Sequence, residues 1–144
     1  MEYSPENRQL VFAVLGAASH LERMLSRDLS TVRGISLSEY LILESLGQQP
    51  GSTTRVDLAA SVGLTPSGVT RALRPLEKLG YVTTEKDPRD ARRSLAKLTR
   101  AGTRLVKEAS KLIDEAVARM RGLGEVEDAD RRVAIRMLEG VARG

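Results

Sequence analysis

Residues 58–80 read "LAASVGLTPSGVTRALRPLEKLG". Two apolar-periodic runs meet here at a glycine. Ala59, Gly63 and Val69 stand four and then six residues apart. Two helices joined at a sharp corner need those residue types in that order. A small residue sits where they touch, a glycine takes positive φ in the turn, and an apolar residue anchors the second helix. Leu58, Val62, Leu64 and Leu73 fill the remaining apolar positions. Thr65-Pro66 opens the second helix, with a hydroxyl cap and proline at the first helical position. Gly80 stops it. The spacing predicts a helix-turn-helix, weighed against an ordinary helical corner.

The phase of the second helix sorts its residues. With Val69 at the centre of the buried face, Ala72, Leu73, Leu76, Leu79 and Gly80 lie beside it at 100° per residue. Ser67, Thr70, Arg71, Arg74 and Lys78 fall opposite. A helix entering the major groove reads bases with its N-terminal residues. Arg71 is the candidate for a bidentate contact to guanine. Thr65, Ser67 and Thr70 are candidates for bases or phosphates, and Arg74 extends the cationic face. Gly68 has no side chain, so backbone can approach DNA there. A solvated face usually mixes signs, but this one carries only cations, with Glu77 at its edge. Pro75 removes the amide that would bond the Arg71 carbonyl and is expected to bend the helix.

Outward from this segment, the flanks are helical. Ser4-Pro5 is a helix start, and Leu10, Val14, Leu21, Leu25 and Leu29 continue an amphipathic pattern to Gly34. Ser36 and Glu39 form a capping box for a second helix, which Gly47 is expected to close. Thr54 caps a short third helix. Thr99 caps a fifth, with Leu105, Ala109, Leu112, Ala116 and Met120 on one stripe and Val106, Ile113 and Val117 on another. A last helix carries Val133, Ala134, Met137, Leu138 and Val141. The first and last helices are apolar over more surface than one small domain needs, so they are expected to meet those of a second copy.

Between the fourth and fifth helices lies "EKDPRDARRSLAKLTRAG", residues 85–102. Tyr81–Lys86 and Ser94–Leu98 read as two short strands, with the basic stretch between them as a loop. Residues 65–100 carry nine Lys and Arg against four acids, while the other residues carry 14 against 15. The excess positive charge is therefore gathered in one quarter of the chain, as a polyanion-binding surface requires.

Composition narrows the classes. The chain has 144 residues, 41% hydrophobic and 29% charged, with 3% aromatics and no Trp. That fits one globular domain with an aliphatic core. There is no cysteine, so disulfides, thiolate chemistry and thiol sensing are excluded. His20 is the single histidine. Glu85, Asp87 and Asp90 could be read as catalytic carboxylates or metal ligands, but no histidine lies near them and basic residues surround them. The residues argue against an enzyme, and no metal or cofactor is expected. No run of 18 apolar residues exists, and "MEYSPENRQL" does not resemble a signal peptide. A cytoplasmic protein without a membrane partner is expected.

The order of "LTPSGVTRALRPLEKLGYV" and "DPRDARRSLAKLTRAG" resembles the MarR family of bacterial transcription regulators, over essentially the whole length. The most specific piece is Asp90-Ala91-Arg92, followed by Leu98-Thr99 and Gly102, which resembles that family's wing signature. The resemblance implies a homodimer with interlocked terminal helices on a pseudo-palindromic operator. It implies that Arg92 enters the minor groove, positioned by Asp90, and a narrow minor groove does attract arginine. Arg89 and Arg93 are expected at phosphates, with Lys86 and Lys97 adding contacts from the strands. It also implies a small phenolic or lipophilic effector. His20 and Arg23 are the candidate ligand contacts, although a surface or part-buried histidine is the commoner case.

The expected fold is mainly α: a winged helix-turn-helix of about six helices and a β-hairpin. Residues 35–99 form the DNA-binding region. Residues 1–34 and 100–144 form the dimerisation region, in one intertwined domain. The expected function is a ligand-responsive repressor that binds double-stranded DNA sequence-specifically. A winged-helix protein-interaction module and a non-specific DNA binder are the alternatives.

Overall fold

Helix α1 spans Pro5–Arg33 and ends where Gly34 takes φ 66°, the left-handed conformation that favours glycine. Ser4 stands at its N-cap position, but its side chain makes no capping bond, so Pro5 alone marks the start. The computed structural model describes residues 4–143, apart from the side chains of Val32 and Arg33. Residues 1–3 and 144 of the expected dimerisation region lie outside the described residues.

Helix α2 spans Leu37–Gln48. Its capping box is formed: the Ser36 hydroxyl accepts from Glu39 N at 3.1 Å, and Glu39 Oε2 accepts from Ser36 N at 2.8 Å. Gly47 does not close this helix, which continues to Gln48. A Cβ at Gly47 would meet Leu98 Cδ1 at 3.5 Å and Val106 Cγ1 at 4.0 Å.

A short strand that the sequence reading missed, β1 (Thr53–Thr54), precedes helix α3 (Arg55–Val62). Thr54 also caps α3, accepting from Asp57 N at 3.2 Å. Helix α4 spans Pro66–Lys78, and strands β2 (Val82–Asp87) and β3 (Asp90–Leu98) follow. The sheet is antiparallel in the order β1-β3-β2. The hairpin differs from expectation. Residues 90–93 are not loop but the first part of β3, and only Pro88 and Arg89 lie between the strands.

Helix α5 (Arg100–Ala118) is capped by Thr99, and a four-residue helix α6 (Arg121–Gly124) leads to α7 (Asp128–Arg143). Met120, expected on the α5 stripe, lies past the end of α5 at the start of α6. The core joins Leu29 of α1, Ile42 and Leu43 of α2, Leu58 of α3, Val69, Leu73 and Leu76 of α4, Val82 and Ala96 of the sheet, and Leu105 of α5. Helix α7 contributes no buried residue. Its Val133, Ile135, Leu138 and Val141 are exposed, as are Leu10, Val11, Phe12 and Leu15 at the start of α1.

Tyr40 couples α2 to α5. It is buried, and its hydroxyl lies 3.3 Å from Ser110 Oγ. Burial pushes its ionisation above the ordinary value of 10.0, and the Ser110 hydrogen bond offsets part of that rise. Ionisation is therefore easier in the unfolded chain. The associated stability is present below pH 10.0 and is lost as pH rises beyond it. Urea unfolding of the wild type is expected to weaken above that pH more steeply than that of Tyr40→Phe. Parallel pH profiles would refute the coupling.

Candidate nucleic-acid interface

The corner between α3 and α4 forms as its residue types require. Ala59 is buried, Gly63 takes φ 68°, and Leu64 N donates to Ala59 O at 3.1 Å. Val69 is fully buried and anchors α4 against α3. This fixes which face of α4 turns outward. Ser67, Arg71, Arg74 and Lys78 are exposed on it. Thr70 is half-buried and donates its hydroxyl to Pro66 O at 3.0 Å, so it is left as an acceptor. Thr65 accepts from Gly68 N at 3.0 Å as the cap of α4. A Cβ at Gly68 would meet that Thr65 oxygen at 3.3 Å, so glycine here keeps the cap tight.

Two expectations for this helix change. Leu79 is 63% exposed rather than on the buried face. The helix ends at Lys78 and the chain then turns at Gly80 with φ 77°, so the 100° phase no longer applies. Glu77 leaves the cationic face, because its carboxylate accepts from Thr84 Oγ1 of β2. Pro75 lies inside α4, which continues past it to Lys78. Its missing amide leaves the Arg71 carbonyl without its usual helical donor.

At the hairpin tip the acids are used locally. Asp87 Oδ1 accepts from Arg89 N at 2.9 Å, which shapes the turn. Asp90 Oδ1 accepts from Arg92 N at 3.0 Å and from Arg92 Nε at 3.3 Å. The Arg92 side chain is 92% exposed. At that exposure an ion pair adds little to stability, but it does hold the guanidinium in one direction. Lys86, Arg89, Arg93 and Lys97 are exposed on the same two strands and the turn between them. Among the described residues, no group of three or more His, Asp or Glu could hold a metal ion.

The comparisons agree with this geometry. The MarR family model matches residues 33–93. Sco3205 of Streptomyces coelicolor, a MarR family transcriptional regulator solved in complex with DNA, is 25% identical with a TM-score of 0.85, covering 99% of this chain and 93% of that one. The chain is similar to the MarR family over its middle region and to Sco3205 over nearly its whole length. Two further solved structures share the fold. The transcriptional regulator BldR of Sulfolobus solfataricus is 24% identical with a TM-score of 0.82, covering 99% of this chain and 96% of that one. CouR of Rhodococcus jostii, solved bound to p-coumaroyl-CoA, is 24% identical with a TM-score of 0.82, covering 92% and 91%.

The ligand candidates separate in this fold. His20 lines a pocket of about 570 Å³ with Leu21 and Met24 of α1, Ala116 of α5, and Leu123 of α6. Arg119 Nη2 donates to Asp28 Oδ2 at 3.2 Å and ties α1 to α5 in the pocket wall. Arg23 is exposed and does not line this pocket.

One cation beside the wing was not legible in the sequence. Arg55, the first residue of α3, lines a small pocket with Arg92 and Arg93. Strand β1 brings it there, and the β-branched pair Thr53-Thr54 is the only local hint of that strand.

Proposed function

We propose that this chain is a homodimeric transcriptional regulator whose grip on a pseudo-palindromic operator is set by a small-molecule effector, most simply as a repressor. One observation carries the reading: Arg92 is held out into solvent by Asp90 on a hairpin that directly follows a helix with an all-cationic outer face. Residues 35–99 bind DNA in this reading, with α4 in the major groove and the wing at the minor groove. Residues 1–34 and 100–144 form the dimer, whose formation would cover the exposed apolar side chains of α1 and α7. The site of action is the cytoplasm, and the chain acts as a regulator rather than a catalyst. CouR's acyl-CoA supports an amphipathic effector class, and the apolar pocket beside His20 is where such a molecule would be sought.

The test is selection of duplexes from a random pool by the full-length protein, followed by gel-shift titration. Binding is expected to be salt-sensitive and to require two half-sites about one helical turn apart, roughly 10 bp. Equal binding to all duplexes would point to a non-specific binder. Absence of binding would point to a protein-interaction module. In the selected site, Arg71→Ala is expected to relax preference at one position per half-site by about 1–3 kcal/mol. An unchanged selected sequence would remove Arg71 from base readout.

A further inference from the structure

We propose that Arg55, with Arg93 and the base of Arg92, forms a site for one backbone phosphate of the operator, linking the start of α3 to the wing. This rests on the DNA-binding reading above.

Register places the cations together. Thr53 pairs with Ala96 and Thr54 with Leu95, which brings the start of α3, at Arg55, beside the stretch of β3 that ends in Ser94. Arg93 and Arg92 immediately precede that serine in the chain. Thr54, Arg55, Val56, Arg92, Arg93 and Ser94 line one pocket of about 160 Å³. The like charges of Arg55 and Arg93 beside so small a space repel one another, and an anion between them relieves that repulsion.

Arg55 carries a second mark. Its Nε is buried and has no hydrogen-bond partner among the described residues. A buried donor without an acceptor is costly and calls for one. No acid supplies it. Asp57, the acid nearest in sequence, is engaged by Thr54, whose Oγ1 donates to Asp57 Oδ2 at 2.7 Å. Asp90 is taken by Arg92. Among the described residues neither Arg55 nor Arg93 has an ion-pair partner. An anion with several acceptor oxygens suits forked N–H donors. A DNA phosphate is the one that the adjoining wing would bring to this place.

The consequence is a third anchor in each half-site, between α4 and the wing tip. It would hold the hairpin against the backbone while Arg92 projects beyond it. A phosphate contact positions the protein without reading sequence.

The experiment uses full-length protein and a duplex that the wild type selects from a random pool. Arg55→Gln is expected to weaken binding roughly tenfold and to lower the salt slope by about 0.9 per half-site, with base preference unchanged. Arg55→Lys, which keeps the charge, is expected to retain the slope while losing part of the affinity. A scan of neutral methylphosphonate linkages should find one position per half-site that weakens the wild type and leaves Arg55→Gln unaffected. Thermal midpoints of both variants show that they fold. If the wild type selects and binds a duplex but Arg55→Gln matches it in affinity and slope, this site is overturned and the DNA-binding reading survives. If the wild type selects no duplex, both fall. If calorimetry shows inorganic phosphate binding that Arg55→Gln abolishes, while the DNA slope is unchanged, the pocket serves a free anion and the proposal is overturned.

Discussion

Arg92→Ala is expected to cut operator affinity by tenfold or more, about 1–3 kcal/mol per half-site, with thermal stability unchanged. The side chain is 92% exposed and supports nothing in the fold. In the DNA-binding reading its contribution is therefore expected at the partner and not in the core. Asp90 gives the prediction its detail. A free arginine at a hairpin tip samples many rotamers, and ordering it on binding costs about 0.5–1.5 kcal/mol. Here Asp90 Oδ1 takes both the backbone amide and the Nε of Arg92, which removes part of that disorder beforehand. Asp90→Ala should therefore weaken binding less than Arg92→Ala, mostly through the dissociation rate. Arg92→Lys keeps the charge but loses the Nε that Asp90 holds, so it should fall between wild type and alanine. Quantitative gel shifts at one fixed salt concentration decide the order. Arg92→Ala binding at wild-type strength would remove the wing tip from the interface.

What could be read ahead of the structure was chemistry complete within a few residues. Ser36, Thr54, Thr65 and Thr99 all stand before their helices, and each accepts the amide three residues on. That bond needs nothing outside the segment. Ala59, Gly63 and Val69 likewise carry the corner in their own types and spacing. The candidates Arg71, Arg74 and Arg92 followed from helix phase and from the wing sequence. What escaped depends on distant partners. Thr53-Thr54 is a strand only because β3 lies about forty residues further along to pair with it. Asp90, Arg92 and Arg93 are poor strand formers by type. Asp90 is held in the strand by pairing with Asp87 across a short turn, while Arg92 and Arg93 lie in the register irregularity between that pair and Lys86–Ser94. Gly47 was expected to end α2 by a local rule, but the helix runs one residue past it to Gln48. Arg55 belongs to the same class: its position beside the wing depends on β1, which one dipeptide barely signals.

The other large effect concerns Gly102, where two physical rules predict opposite signs. Gly102 lies in the first turn of α5. Helix propensity alone says that alanine there should stabilise by about 1 kcal/mol. Space says the reverse. A Cβ on Gly102 would stand 2.0 Å from the Tyr81 carbonyl oxygen, 3.0 Å from its carbon and 3.1 Å from Leu98 Cδ2. The first two are backbone atoms, so no rotamer change relieves them. The carbonyl is also committed, because Tyr81 O accepts from Thr99 N at 3.0 Å. Thr99 Oγ1 holds the preceding residue as well, donating to Gly80 O at 2.6 Å while accepting from Gly102 N at 3.1 Å. Swinging Tyr81 away would therefore break the joint between the end of α4, the start of the wing and α5. Overpacking usually costs about 1–3 kcal/mol and occasionally more; against backbone this rigidly bonded, the steric cost should exceed the propensity gain. Gly102→Ala is thus expected to lower stability by roughly 2 kcal/mol net and to weaken DNA binding through displacement of the wing. Gly47→Ala is the control on the other side of Leu98. There the nearest atoms stand at 3.5 and 4.0 Å, in ordinary contact, so propensity should win and stability should be unchanged or rise by up to about 1 kcal/mol. Chemical denaturation of both variants at one protein concentration, since dimer formation shifts apparent stability, separates the two rules. Gly102→Ala as stable as the wild type would mean that the joint yields, and that Gly102 is not there to let α5 approach the Tyr81 backbone.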